Sequence, residues 1–164
     1  METMTARESD GNFLKNRKLP DFRPLEIAVP ITVETTDLDY AGIVSNISYI
    51  RWLELMRNRF FAQFACPQSW MEQRTAAAVA ETQIMYMRPL RFGAALNGLM
   101  WALEVRHVDA RLGAAMIDDA GNLCALAVQR VVTANWETMR PVRLPDALLQ
   151  AWQDLGRHQN QNEE

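Results

Sequence analysis

The sequence predicts an α+β fold in which one long helix packs across an antiparallel sheet. Apolar residues alternate in a short strand around Pro30, and a stripe of apolar residues at helical spacing follows. The second half of the chain consists mainly of alternating apolar segments separated by short turns. Such short connections join antiparallel neighbours, because a parallel crossover needs about a dozen residues.

The overall composition limits the classes of protein to which this chain could belong. A length of 164 residues predicts one domain, and 49% hydrophobic with 23% charged residues is typical of a globular protein. A net charge of −3 argues against nucleic-acid binding. Without an apolar leader or a long apolar run, we expect neither secretion nor membrane insertion, and the two cysteines predict reduced thiols in the cytoplasm.

Polarity divides the chain into three parts. Residues 1–24 are polar and predict a loosely ordered arm, residues 25–155 form the domain, and residues 156–164 predict a flexible tail.

The domain begins with a strand and the long helix. The strand covers residues 26–34, where Pro30 cannot donate a ladder hydrogen bond and so indicates an edge or a bulge. The helix covers residues 46–65, with Ser45 or Asn46 as its N-cap. Its apolar stripe consists of Tyr49, Leu53, Met56, Phe60 and Phe64, while Trp52 lies off the stripe and is expected in a groove or subunit contact.

Four more strands and two short helices complete the chain. Residues 68–81 favour a short helix and residues 81–89 a short strand. Strands near 96–106, 111–117 and 123–134 form an antiparallel meander, and His107 is expected in the core or in an interface. A helix over residues 145–155 ends the domain.

The candidate site lies where the long helix begins. A turn containing Asp37 and Asp39, followed by Gly42, places a carboxylate beside the positive end of the helix. Free N–H groups there and a nearby carboxylate could split an acyl compound. A plain turn in which each aspartate accepts local hydrogen bonds is the alternative.

The same residues carry a family resemblance over residues 25–155. The Asp-x-Asp turn, the glycine and a helix with a tyrosine, an aromatic residue and an acid are similar to the 4-hydroxybenzoyl-CoA thioesterase family of acyl-CoA thioesterases. Two later segments match more weakly. The matching residues are Asp37, Asp39, Gly42, Tyr49, Trp52 and Glu54, then Arg88 to Leu90 with Phe92 and Gly93, then Thr138 to Pro141 with Leu144 and Pro145.

The resemblance implies a hotdog fold, with a sheet of about five strands wrapped around one central helix and a short C-terminal helix. It also implies an acyl-CoA substrate bound near the interface of a homodimer or homotetramer. No metal is implied, and no cofactor beyond the coenzyme A that the substrate carries. Asp39 is then the catalytic carboxylate, acting as nucleophile or as base toward water, and the choice between these stays open.

Other residues receive roles from the same hypothesis. Asn46 and the helix start are expected to stabilise the oxyanion, and Asp37 is expected to bind a backbone amide or an arginine. Glu54 is a rival base, although an exposed helix glutamate paired with an arginine is the ordinary case. Substrate contacts are assigned to Gly42, Ser45, Tyr49, Arg88 and Arg91, although the place of Tyr49 on the apolar stripe favours core packing for that residue. Both arginines, together with Arg140 and Arg143, are candidates for binding coenzyme A phosphates.

Two alternatives to an enzyme remain from the sequence. Asn46 can donate a hydrogen bond but cannot titrate near neutral pH, which leaves open a hotdog protein that binds acyl-CoA without turnover. An oligomeric interaction module that uses a sheet edge is the other.

Overall fold

Five antiparallel strands form one sheet in the computed structural model, which describes residues 12–161, with side chains from residue 13 to residue 156. The strands are β1 (Ile27–Thr32), β2 (Thr75–Tyr86), β3 (Ala95–Val105), β4 (Asp109–Asp118) and β5 (Leu123–Asn135). The helices are α1 (Asn12–Asn16), α2 (Asn46–Ala62), α3 (Pro67–Glu72) and α4 (Asp146–Gln161), with a 3-10 turn at Thr35–Asp37.

The sheet order is β1-β3-β4-β5-β2, so β1 and β2 are the two edges. The predicted meander of β3, β4 and β5 is confirmed, with antiparallel pairing throughout. Pro30 lies in the edge strand β1 opposite Asn97, which confirms the edge prediction, because an edge strand needs ladder donors on one side only.

Helix α2 packs on the inner face of the sheet. Leu53, Met56 and Phe60 of the predicted stripe are fully buried. The helix packs tightly against Gly98 of β3, where an added Cβ would lie 2.5 Å from Met56 Sδ. Trp52 is also buried, so its expected place in a groove or subunit contact is wrong within this chain; it packs edge-on against Tyr49.

Helix α1 covers part of the outer face of the sheet. Phe13 and Leu14 are buried there in a second apolar cluster, and the Phe13 ring lies 5.6 Å from the ring of Trp101. This part of the expected loose arm is therefore packed, because two large apolar side chains on a short helix meet an apolar sheet face. Residues 1–11 lie outside the described part of the chain.

Three element boundaries differ from the sequence prediction. Strand β2 begins at Thr75 and not near residue 81, because pairing with β5 continues as far as Thr75 opposite Asn135. Helix α4 continues to Gln161, into the expected tail, and residues 162–164 lie outside the described part. His107 is exposed because β3 ends at Val105. The division into arm, domain and tail stays a prediction.

Among the described residues, no helix is both long and apolar enough to cross a membrane.

Candidate active site

A tight loop precedes α2 and carries Asp39. The loop is closed by an antiparallel bridge between Leu38 and Val44. Inside it, the Asp39 N–H donates to the Ile43 carbonyl at 2.9 Å, and the Gly42 N–H donates to the Asp39 carbonyl at 3.1 Å. Gly42 has φ of +71°, a conformation that glycine adopts without the cost that a side chain incurs. The chain can therefore reverse sharply just before the helix.

Asp39 is exposed, and only one of its two carboxylate oxygens accepts a hydrogen bond within this loop. Its Oδ1 accepts a hydrogen bond from the Ala41 N–H at 2.7 Å, as an aspartate commonly does in a turn. Its Oδ2 accepts no hydrogen bond from any residue in the described part of the chain. One oxygen thus orients the carboxylate, while the other can meet a ligand or a water.

Asp37, two residues earlier, is buried and fixes the loop to the helix. Its Oδ2 accepts from the Glu34 N–H at 2.9 Å, and its Oδ1 accepts from Arg51 Nη2 at 2.9 Å. Its carbonyl accepts from the Ser45 N–H at 2.8 Å and the Ser48 hydroxyl at 3.1 Å. The prediction that Asp37 binds an amide or an arginine is confirmed, because it binds both.

Ser45 caps α2 and decides which N–H groups stay free. Its Oγ accepts from the Ile47 N–H at 3.2 Å, and its carbonyl accepts from the Ser48 N–H at 2.9 Å. Fewer backbone N–H groups between Asn46 and Tyr49 are therefore free than the sequence predicted. The Asn46 N–H is the first-turn donor without an acceptor among the described residues, and the Asn46 side chain is exposed beside it.

Tyr49 points into the core and not toward solvent. It is 3% exposed, and its ring packs edge-on against Tyr86 with centroids 5.0 Å apart. Burial, followed by the nearby Cys124 and Tyr86, raises the pKa of Tyr49 to about 12. The core interpretation of this residue is confirmed, and a substrate contact through it stays a prediction.

The segment that carries Arg88 and Arg91 lies against the Asp39 loop. The Val44 N–H donates to the Leu90 carbonyl at 2.9 Å, so the two motifs that the sequence separates are neighbours. Both arginines are exposed.

Arg140 and Arg143 lie elsewhere. They follow the end of β5 that pairs with the start of β2, and Arg143 Nε donates to Asp146 at 3.0 Å. The structure therefore brings Arg88 and Arg91 to the loop and leaves the other two arginines at the opposite end of the sheet.

A cleft of about 480 Å³ lies near the other end of α2. Glu54, Arg57 and Asn58 line one wall, the aromatic rings of Trp70 and Trp136 form part of the others, and Thr75 contributes from β2. Glu54 is exposed in this cleft and not beside Asp39.

Arg57 is a polar residue of this cleft that the sequence reasoning missed. It is 8% exposed, and its Nη1 donates to Gln129 Oε1 at 3.0 Å, while Gln129 Nε2 donates to Thr82 Oγ1 at 3.1 Å. Its buried Nε has no hydrogen-bond partner in the described chain. Burial lowers the pKa of Arg57, and the charge of Glu54 opposes that change. The available signal was its spacing, four residues after Leu53 and three before Phe60, which puts an arginine on the buried stripe.

The described structure gives little support for a cysteine nucleophile or a metal-binding cluster near the loop. Burial raises the pKa of the Cys124 thiol, which disfavours a thiolate nucleophile there. Within residues 12–161, no group of three or more His, Cys, Asp or Glu side chains could hold a metal ion.

A sheet folded around one helix, with a carboxylate loop at the helix start, defines the class of hotdog thioesterases. Residues 33–152 match the model of the thioesterase-like superfamily. This match covers most of the chain, and the protein therefore belongs to that superfamily, which confirms the predicted family and the prediction of a thioester hydrolase. No curated protein sequence matches it significantly.

Solved thioesterase structures resemble this one over most of its length. A DHNA-CoA thioesterase from Staphylococcus aureus has a TM-score of 0.74 at 16% identity, covering 84% of this chain and 95% of that chain. A mutant of 4-hydroxybenzoyl-CoA thioesterase in complex with 4-hydroxybenzoyl-CoA has a TM-score of 0.70 at 19% identity, with coverages of 77% and 97%. A gentisyl-coenzyme A thioesterase has a TM-score of 0.69 at 21% identity, with coverages of 76% and 98%. These likenesses confirm the predicted hotdog fold.

Proposed function

We propose that this protein is an acyl-CoA thioesterase in which Asp39 acts on the thioester carbonyl and the Asn46 N–H binds the developing oxyanion. The observation that carries the proposal is the free Oδ2 of Asp39 on a loop fixed directly to the start of α2. The thioester hydrolase class follows from the family, while the substrate and these roles are the proposal.

The chemistry needs a base or nucleophile and a donor for the oxyanion. Asp39 Oδ2 can attack the carbonyl carbon, which expels coenzyme A as its thiolate and leaves a mixed anhydride that water then hydrolyses to the free acid and the restored carboxylate. Alternatively, it can take a proton from a water that attacks the carbonyl directly. The Asn46 N–H lies at the positive end of α2, where the helix dipole favours negative charge. Removing one oxyanion donor raises the barrier by about 3 kcal/mol, so one backbone N–H can matter greatly.

The remaining assigned residues would position the substrate. An added Cβ at Gly42 would have no neighbour within 4 Å, so the loop leaves room for a ligand there. Ser45 is partly exposed beside it, and Tyr49 supports the helix start from the core. Arg88 and Arg91 are exposed on the neighbouring segment, where their guanidinium groups could hold coenzyme A phosphates.

A homodimer, or a homotetramer built from such dimers, would complete the site. Strand β2 is a sheet edge of twelve residues, and residues 78–81 near its middle are exposed. Long open edges of this kind are normally covered, because their free N–H and C=O groups otherwise pair with other chains. Antiparallel pairing of two β2 edges would place the Tyr86 end of one protomer beside the Thr75 end of its partner.

The catalytic assignment can be tested with Asp39→Asn. This change keeps the shape and removes the charge, so we expect hydrolysis of a panel of short, long and aromatic acyl-CoAs to fall about 100-fold or more. Release of free thiol measures the rate. Asp119→Asn changes an exposed turn aspartate elsewhere and should leave the rate unchanged.

Retained hydrolysis in Asp39→Asn, with normal thermal unfolding, would contradict the assignment of Asp39. The second candidate function is an acyl-CoA binding protein without turnover. It is favoured by the hydrogen bond from the Ala41 N–H to Asp39, which is an ordinary turn interaction. Measurable acyl-CoA binding without hydrolysis of any member of the panel would select this candidate.

A further inference from the structure

Arg57 carries a buried charge for which the described chain supplies neither an ion-pair partner nor enough hydrogen-bond acceptors. Nη1 is fixed by Gln129, but the edge formed by Nε and Nη2 donates to no described residue. No carboxylate in residues 13–156 forms an ion pair with it within 4.0 Å. Burying an unpaired charge is costly, so the arrangement calls for an acceptor from outside the chain.

The unpaired charge of Arg57 has a definite chemical preference. Nε is buried, so Nη2 is the nitrogen through which Arg57 can donate to an acceptor in the cleft. A neutral hydroxyl could accept that hydrogen bond but would leave the charge unbalanced. The side chain therefore favours a carboxylate as its partner.

The cleft around Arg57 suits a compact organic ligand. Its volume of about 480 Å³ falls within the range of small-molecule sites. Trp70, Trp136 and Phe61 supply apolar walls, while Arg57 is a buried charged residue of the lining. Glu54 also lines the cleft and would oppose an anion, although it is exposed to solvent and so screened.

We propose that this cleft holds the acyl group of the substrate, and that Arg57 selects acyl groups whose far end carries a carboxylate. The inference rests on the proposed thioesterase function and specifies its substrate class: the coenzyme A monothioester of a dicarboxylic acid. Arg57 is a binding residue in this scheme and takes no part in the hydrolytic step.

The proposed dimer would bring the start of α2 in one protomer close to the far end of α2 in its partner. Within one chain, Asn46 and Arg57 are eleven residues apart, which is about 16 Å along a helix. Tyr86 contacts Tyr49 near the helix start, whereas Thr75, at the other end of β2, lines the cleft. Antiparallel pairing of two β2 strands would therefore set the Asp39 loop of one protomer beside the cleft of its partner.

Binding of amide analogues tests the cleft without requiring turnover. The full-length protein is titrated with benzene-1,4-dicarboxamide and with 4-carbamoylbenzoate, in which a neutral amide replaces the thioester, and the intrinsic tryptophan fluorescence or the heat of binding is followed. We expect 4-carbamoylbenzoate, which carries the far carboxylate, to bind about tenfold or more tightly, and Arg57→Met to abolish the difference. Arg59→Met removes an exposed arginine of the same helix and should preserve the preference. Equal affinities in the wild type, or a preference that survives Arg57→Met, would overturn the proposal.

A second variant avoids the folding risk of changing a buried residue. Glu54→Gln removes an exposed negative charge from the cleft and should strengthen binding of 4-carbamoylbenzoate about two- to fivefold. Weaker or unchanged binding of 4-carbamoylbenzoate in this variant would count against the proposal. Asp39→Asn should keep the binding preference intact. An Arg57-dependent preference without hydrolysis would reject the proposed function and retain the binding site.

Discussion

Asp37 and Asp39 show how burial gives two identical side chains different tasks. Asp37 is buried, and both of its oxygens accept hydrogen bonds, one of them from Arg51. Asp39 is exposed and keeps one oxygen without a partner in the described chain. The first aspartate therefore holds the backbone in place, and the second keeps an oxygen available for the role that we propose for it.

Tyr49 gives a prediction about pH at the residue scale. The pKa of Tyr49 is raised to about 12, above its ordinary value of 10.0, so the unfolded chain loses this proton first as the pH rises. Tyr49 therefore stabilises the fold fully below about pH 10, and this contribution is lost between about pH 10 and pH 12, by about 2 to 3 kcal/mol. We expect Tyr49→Phe to lose less stability than the wild type over this interval, measured by urea unfolding at a series of pH values.

Tyr40→Phe provides the matched control, because Tyr40 is fully exposed at the tip of the Asp39 loop. Its stability should follow the wild-type pH curve. Identical slopes for the wild type and Tyr49→Phe would contradict the account of Tyr49 as a buried phenol.

Individual residues differed in how far the sequence could predict them. The anchoring role of Asp37 was predictable, because an aspartate in a turn before a helix has few other partners. Trp52 was misplaced, because a helix wrapped by a sheet buries more than one stripe. Arg57 was missed, because its unmet hydrogen bonds become visible only when Gln129 and the cleft are located.

Strands β3 and β4 give a prediction at the scale of the element. Their register places Gly113 opposite Trp101, and an added Cβ at Gly113 would lie 2.4 Å from Trp101 Cε2. Trp101 is fully buried and has no space to retreat. We expect Gly113→Ala to destabilise the protein by about 1 to 3 kcal/mol in chemical unfolding, because overpacked cores force side chains off their rotamers.

Gly156→Ala is the control for that change. Gly156 lies in α4, and an added Cβ there would meet nothing within 4 Å. This variant should be neutral or more stable by up to about 1 kcal/mol, because alanine is the better helix former. A Gly113→Ala variant as stable as the wild type would show that β3 and β4 are not packed as described.

The periodicity of apolar residues made the order of the helices and strands predictable, but not all of their boundaries. The alternation in β3 and the stripe of α2 are strong signals, and both elements occur where expected. The alanine-rich start of β2 has no such alternation, and only its pairing with β5 defines it as a strand. Pairing across many residues is a tertiary effect that a local pattern does not contain.

Assembly through β2 gives a prediction for the whole molecule. Val79 is 41% exposed near the middle of this edge, so a twofold axis there would place the two copies of this residue close together. We expect Val79→Glu to leave the fold intact, because the site is exposed, and to dissociate the dimer through repulsion of like charges. Light scattering after size-exclusion chromatography measures the mass, and hydrolysis should fall with dissociation.

Val108→Glu is the matched control, since Val108 is also exposed but lies in the turn between β3 and β4. This variant should keep the mass of the wild type. A monomeric wild type, or dissociation by Val108→Glu alone, would reject the edge-to-edge assembly.

Helix α1 has a consequence for how copies of the protein can associate. By burying Phe13 and Leu14 against Trp101, it occupies apolar area on the back of the sheet that could otherwise receive a second sheet. A five-residue segment thereby covers part of one sheet face, which the proposed contact between β2 edges does not use. We expect that shortening the chain past α1 would expose this apolar surface and promote stacking of the protein into aggregates.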